Sequence, residues 1–444
     1  MTDTQHAKYL LSIPSVRERA QSVFAKATTT GHGTAFTIDM TRVPDVVDCV
    51  VRLIARDYGT DYAAIPPHGR WQHFNVGGVD RITPLVEAWI AAGVANDDVA
   101  RRLLDLFVVS VLLDAGAGNK WVYHDAASGS TYNRSEGIAV ASLAMFANGA
   151  FSADSTQPFQ VNGNALSALS HETLAKGMQA SEENPMEGIA GRASLMQRLG
   201  SALTASPEYF GEDARPGNLL GYLLQHPTTT TTTTTTSPGP VIQLTTLWDA
   251  LMAGLAPIWP AGRTQLAGVS LGDAWPCELL NTPGSEFWER ITPFHKLTQW
   301  LCYSLLVPIK KYSGATFVGE ELQTGLPEYR NGGLLVDLGV LTLKPEILAA
   351  GLDTARVNNA SSFGKPYEVP MYTPDSDVIV EWRALTVGFL DHLLPLVNEK
   401  LGTQLSLAQL LEAGTWKAGR EVAAEKRPET KGPPIDLLSD GTVF

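Results

Sequence analysis

A chain of 444 residues with 44% hydrophobic and 18% charged side chains has the composition of a well-buried globular protein and excludes a chain disordered throughout. Its length suits two or three average domains, or one large domain with insertions. The formal net charge of −13 repels phosphate backbones and anionic lipid, which argues against nucleic acid or a membrane surface as partner; a small anionic ligand feels only its local pocket. Three scattered cysteines (Cys49, Cys277, Cys302) form no CxxC pair, metal spacing or disulfide framework and fit a reducing compartment. The polar N-terminus lacks the apolar core of a signal peptide, and no stretch approaches a membrane span, so a cytoplasmic location is expected.

In chain order, alternation over 34–39 predicts a strand. Pro44-Asp45 opens a helix over 46–56, with apolar residues at 46, 47, 50, 53 and 54. The stretch 70–81, with its Gly77-Gly78 pair, reads as a turn between helices. Asp97-Asp98 heads a helical run over 99–113, since acidic residues suit a helix N-terminus. A strand over 120–124 follows, then helices over 138–146, 188–199 and 245–255. The clearest breakpoint is 226–240, where nine consecutive threonines (Thr228 to Thr236) run into Ser-Pro-Gly-Pro; such a tract has little to bury and reads as a flexible surface insertion. Beyond it lie a helix over 286–306, a short strand over 316–318, and helices over 376–401 and 407–424. The fold class is mostly α with minor β elements. The expected organisation is an N-terminal helical part (1–225), the insertion (226–240), a C-terminal helical part (241–424) completing one shared active-site domain, and an extended tail (425–444).

No GxxxxGK[ST] loop, GxSxG elbow or HExxH helix occurs, so the commonest nucleotide, serine-hydrolase and zinc-protease readings lack support. The nine histidines include no pair at clear ligand spacing, and neither a metal nor a cofactor is expected.

Four polar and aromatic clusters interrupt the apolar segments. Arg70-Trp-Gln-His-Phe-Asn-Val-Gly-Gly-Val-Asp-Arg81 brings Phe74 beside cations and a glycine pair that permits close backbone approach; filling core is the plain alternative for its rings. Leu113-Asp-Ala-Gly-Ala-Gly-Asn-Lys-Trp121 ends an apolar run on Asp114, and a buried carboxylate needs partners or a task. Asp114 equally suits a turn, and Glu136, at the start of the next helix, equally suits capping and dipole pairing. In Pro293-Phe-His-Lys-Leu-Thr-Gln-Trp300, Lys296 shares a helical face with Gln299 and Trp300 by i, i+3 and i+4 spacing; its alternative is snorkelling to water. Gly325-Leu-Pro-Glu-Tyr-Arg-Asn-Gly-Gly333 offers acid, ring, cation and amide in what reads as a polar loop, or as a turn carrying an Arg–Glu pair.

At these residues the sequence resembles the uracil-catabolism protein 4, or Urg3-like, family of fungal-type uracil degradation. The matching stretches are Leu113-Asp-Ala-Gly-Ala-Gly, Arg134-Ser-Glu-Gly-Ile-Ala-Val-Ala-Ser142, Phe294-His-Lys-Leu-Thr-Gln-Trp300, Leu326-Pro-Glu-Tyr-Arg-Asn-Gly-Gly333 and Ser439-Asp-Gly-Thr-Val-Phe444, spread over nearly the whole chain. The resemblance implies a pathway that makes uracil into a nucleotide, opens its ring and splits a ribosylurea-type intermediate into urea and a ribose species. More distantly, Phe294-His-Lys and Pro327-Glu-Tyr-Arg are similar to the lysine helix and Asp-Tyr-Arg loop of queuosine-salvage nucleosidases, which implies a helical architecture akin to DNA glycosylases. Glu328 stands where those enzymes carry aspartate, and the Arg-Ala-Gln that follows their lysine is absent.

The implied activity is hydrolysis of an N-glycosidic bond on a small ribosyl substrate. Such a reaction passes through a sugar with oxocarbenium character and needs a facing carboxylate, a base for water and a donor for the leaving nitrogen. The expected catalytic residues are Glu328, Lys296 and Asp114. Glu328 would activate water or stabilise the cation, Lys296 would bind a phosphate or hydroxyl or tune Glu328, and Asp114 and Glu136 would hold sugar hydroxyls or the ureido group. Phe74, Trp121, His295, Trp300, Tyr329, Arg330 and Asn331 are expected to bind substrate. Two other classes remain open: a metal-dependent amidohydrolase attacking the ureido carbonyl, which would release ammonia, and a non-catalytic binding regulator, which would retain ligand without turnover. Oligomeric state is not legible.

Overall fold

Helices with apolar residues spaced three and four apart carry a mostly α fold with short two- and three-stranded pairings. The structure, a computed structural model, describes residues 2–118, 120–231, 239–260, 262–359 and 369–438. The threonine tract beyond Thr231 and the tail motif from residue 439 lie outside the described residues. Among the described residues no helix is long and apolar enough to cross a membrane.

The chain divides into two units. Among the described residues, the first gathers 2–68, 262–296 and 321–438, and the second gathers 69–260 and 297–320. Each therefore draws on sequence from both sides of the threonine tract.

The first unit is organised on the helix Asp377–Leu401, buried along most of its length. Ile13–Thr30 packs on it, the two ridges approaching closely because a Cβ at Gly388 would collide with Phe24. Val43–Tyr58 packs on it as well, and its Val46, Val47, Val50, Leu53 and Ile54 all point into the core, as their spacing predicts. Phe36–Ile38 pairs antiparallel with Leu341–Leu343, Phe36 opposite Leu343. The turn before that strand donates the amides of Thr34, Ala35 and Phe36 to the buried carboxylate of Glu381.

In the second unit, Asn96–Leu112 and Arg134–Ala147 are buried on nearly every face of their inner turns, which explains their near-continuous apolar runs. Ile189–Ala205 meets Gly163–Ser167 where Gly200 and Gly163 leave no room for a Cβ. Thr316–Val318 runs parallel to Pro240–Gln243, which pairs antiparallel with Thr230–Thr231. Within the expected insertion, Thr230, Thr231 and Pro240 are thus strand.

Several expectations are corrected. The predicted helix over 286–306 is a 3-10 turn Phe287–Arg290, a strand Ile291–Pro293 paired with Ala274–Pro276, and a helix that starts only at Lys296. Pro293 lacks an N–H, and the pairing claims the backbone before it. The segment read as the loop 325–333 becomes helical from Tyr329, Glu328 being its N-cap. Arg70–Phe74 is a short helix where a turn was expected. The helix over 407–424 is interrupted by a π-type turn, Leu411–Thr415. Asp3–Leu10, Ile13–Thr30 and Pro345–Asn359 were not predicted. In Ile13–Thr30 the buried stripe of Val16, Ala20, Val23 and Ala27 is half alanine and sits among polar residues, a weak apolar signal.

Candidate functional site

In the first unit, two segments distant in sequence are tied together by one buried ion pair. Asp273 and Arg383 face each other as a two-pronged fork, Nη1 to Oδ1 at 2.8 Å and Nη2 to Oδ2 at 2.7 Å. Asp273 also accepts Trp275 Nε1–H at 2.8 Å and the backbone N–H of Lys296 at 3.0 Å. Arg383 in turn donates from Nε to the carbonyl of Pro327 at 3.4 Å and stacks over the Phe294 ring, 4.1 Å from its centroid. The pair therefore holds the first residue of the Lys296 helix and the residue before Glu328 from one centre. Burial alone would raise the Asp273 carboxyl, but Arg383, Trp275 and the Lys296 amide hold it well below the usual carboxylate range.

The backbone entering this helix is strained. His295 has φ 45, a left-handed value uncommon outside glycine. Its amide and that of Phe294 both donate to the Asp273 carbonyl, and its ring donates from Nε2 to the carbonyl of Leu10 at 2.8 Å. Burial drives the imidazole pKa down, which keeps the ring neutral.

Glu328 accepts the amides of Arg330 at 2.7 Å and Asn331 at 2.6 Å, one on each oxygen. Glu328 thus caps the helix that begins at Tyr329, which fixes the carboxylate in space. The residue keeps partial solvent access, yet protein encloses it enough that burial pushes its carboxyl above the ordinary range. The two amides pull the other way, as do the charges of Lys296 and Arg330. Lys296 is thus close enough to Glu328 to act on its ionisation. Asn331 is buried; its Nδ2 donates to the Leu326 carbonyl, and its Oδ1 has no hydrogen-bond partner among the described residues. Arg330 lies over the ring of Tyr329 and donates to the Lys431 carbonyl, its own carbonyl being crowded so closely by Gly419 that no Cβ fits there.

Lys296, His295, Glu328, Tyr329, Arg330 and Asn331 thus fall in one unit, and the other candidates fall in the second. There Asp114 Oδ2 accepts from Arg70 Nη1 at 2.6 Å, and Arg70 Nε donates to Ser110, which bonds Ser142 at 2.7 Å. Glu136 is buried and acts electrostatically on Arg70. His73 lies 3.0 Å from Arg70 Nη1 through its Nδ1, and its ring is 5.4 Å from that of Trp300. Phe74 and Trp121 are shut from solvent: Phe74 packs on Phe107, while Trp121 donates to the Met178 carbonyl and fills the space that Gly137 leaves. Both rings fill core, the plainer of the two roles open to Phe74.

Sequence reading missed Asp273, Arg383 and Arg70 as organising residues. Arg383 carried a signal, a lone cation between Trp382 and Ala384 in an apolar run; Asp273 carried none beyond its neighbour Trp275.

The chain is 50% identical to uracil catabolism protein 4 of Lachancea kluyveri over the full length of both chains. It is 45% identical to protein urg3 of Schizosaccharomyces pombe, over 99% of this chain and all of that one. Residues 9–444 match the family described as "Protein of unknown function (DUF1688)". With a match of that length and two full-length relatives, the chain belongs to the DUF1688 family, together with uracil catabolism protein 4.

Proposed function

We propose that this protein acts in uracil degradation as a hydrolase of N-glycosidic bonds, splitting ribosylurea or its 5′-phosphate into urea and ribose or ribose phosphate. The pathway rests on the name of its full-length relative, uracil catabolism protein 4. The chemistry rests on one observation: a glutamate carboxylate fixed by two backbone amides, enclosed by protein, with a lysine ammonium acting on it.

In this reading Glu328 faces the anomeric carbon. As the C–N bond lengthens, its negative charge offsets the developing oxocarbenium ion, and a water approaching that carbon gives its proton to the carboxylate. The water oxygen bonds the anomeric carbon, and the electron pair of the breaking bond leaves with the ureido nitrogen, which takes a proton and departs as urea. Enclosure strengthens this electrostatic effect, since little solvent screens the pair. Lys296 binds a sugar hydroxyl or the 5′-phosphate. Asp273 and Arg383 touch no substrate; they position both groups.

Purified protein incubated with ribosylurea, and separately with its 5′-phosphate, is expected to release intact urea. Ammonia in place of urea, abolished by a chelator, would replace this reading with the amidohydrolase one.

A further inference from the structure

The second unit contains a buried arginine–aspartate pair left half closed. Arg70 is fully buried and the Asp114 side chain is 9% exposed. They meet by a single bond, Nη1 to Oδ2 at 2.6 Å. Among the described residues, Arg70 Nη2 and Asp114 Oδ1 have no hydrogen-bond partner. Arginine and carboxylate favour a two-pronged fork, and this same chain builds one between Asp273 and Arg383. Buried donors and acceptors without partners are rare and destabilising, so one of each on a single ion pair calls for a physical reason.

The surroundings hold both residues in place. Arg70 donates from Nε to Ser110, which is bonded to Ser142, and its backbone N–H donates to Ser304. On either side of Asp114, Arg192 gathers the carbonyls of Leu113, Ala115 and Gly116. Asp114 and Glu136 act on Arg70, and Asp114 and Glu187 act on Arg192. Glu136 and Glu187 beside the pair disfavour an anion, and Arg192 beside it disfavours a cation. A neutral ligand that both accepts and donates fits.

We propose that Arg70 and Asp114 form a recognition site for a neutral planar amide or urea group, whose carbonyl accepts from Arg70 Nη2 and whose N–H donates to Asp114 Oδ1. The inference rests on the proposed function only for naming its natural occupant, the urea that this function releases.

Saturation-transfer NMR on the full chain, with N-methylurea, acetamide and acetone as probes, tests it. Acetone has nearly the shape of acetamide but no N–H. The intact protein is expected to transfer saturation to N-methylurea and acetamide and not to acetone, with inorganic phosphate failing to displace them. Asp114→Asn turns the acceptor into a donor or loses it, and transfer to N-methylurea is expected to fall at least tenfold. Equal transfer to acetone and acetamide, or undiminished transfer in a folded Asp114→Asn, would overturn the proposal and leave a bridging water as the pair's only partner. The comparison of acetamide with acetone needs no variant, so it decides the matter even if Asp114→Asn does not fold. Binding of N-methylurea without urea release from ribosylurea would remove the catalytic reading and keep this site; urea release without probe discrimination would do the reverse.

Discussion

Glu328 serves two ends with one carboxylate, and the two separate under mutation. Glutamine keeps an oxygen to accept one amide, so Glu328→Gln retains much of the cap, while a cap lost entirely costs about 1 kcal/mol. Loss of a general base typically removes ~10²–10⁴-fold of rate. Urea release from Glu328→Gln is therefore expected to drop by about that factor while circular dichroism records a melting temperature no lower than that of the natural protein; undiminished turnover would remove Glu328 from the chemistry. The pKa direction sharpens this. Burial raises the Glu328 carboxyl, with Lys296, Arg330 and the two amides opposing. A raised folded pKa means that ionisation at higher pH subtracts stability, so neutral glutamine melts no earlier at pH 7. For catalysis the sign is opposite: the ionised form works, so kcat/KM should fall as the solution is acidified through a value above the ordinary glutamate range. A pH–rate profile with its acid limb at the ordinary range or below would contradict this. The thiols form a further check. Burial pushes Cys277 up to about 12 and Cys302 higher still, so both should resist iodoacetamide in the native protein, with peptide mass spectrometry as readout.

Among elements, the Asp273–Arg383 fork deserves the first experiment. Removing one partner of a buried pair leaves an uncompensated charge and costs about 3–5 kcal/mol, so Asp273→Asn should lower the urea midpoint markedly. Because the folded pKa of Asp273 is depressed, the pair's contribution is present above the ordinary carboxylate range and is lost only as pH falls below it. Legibility divides along the same line. The helix on 46–56 and the strand on 316–318 were readable because apolar spacing reports the face that each buries. The Lys296 helix was placed ten residues too early, since its start depends on Asp273, which is remote in sequence and receives the first amide. Glu328 and Lys296 stood out as polar residues in unusual company, but their shared support on the Asp273–Arg383 pair required the folded chain. Thr230–Thr231 and Pro240–Val241 behave as an element too. Thr231 opposite Pro240 brings the two strands into hairpin register, so replacing residues 232–239 by Asn-Gly, which favours a tight hairpin turn, should leave melting temperature and activity unchanged.

At the scale of the whole molecule, the first unit is assembled from three stretches of chain, and Asp377–Leu401 arrives in the last of them. A fragment 1–225 would carry Ile13–Thr30 and Val43–Tyr58 without the helix that covers their apolar faces. It is expected to be insoluble or to bind a hydrophobic dye; a fragment that is monomeric and melts cooperatively would refute that. The same arrangement has a consequence during synthesis. At typical translation rates of ~5–20 residues per second, Val23 and Val50 emerge on the order of 20–70 s before Trp382 and Phe389 can shield them. For that interval the nascent chain exposes sticky surface that its own later residues are meant to cover, and its dependence on chaperones in the cell should be decided there, while the ribosome is still translating.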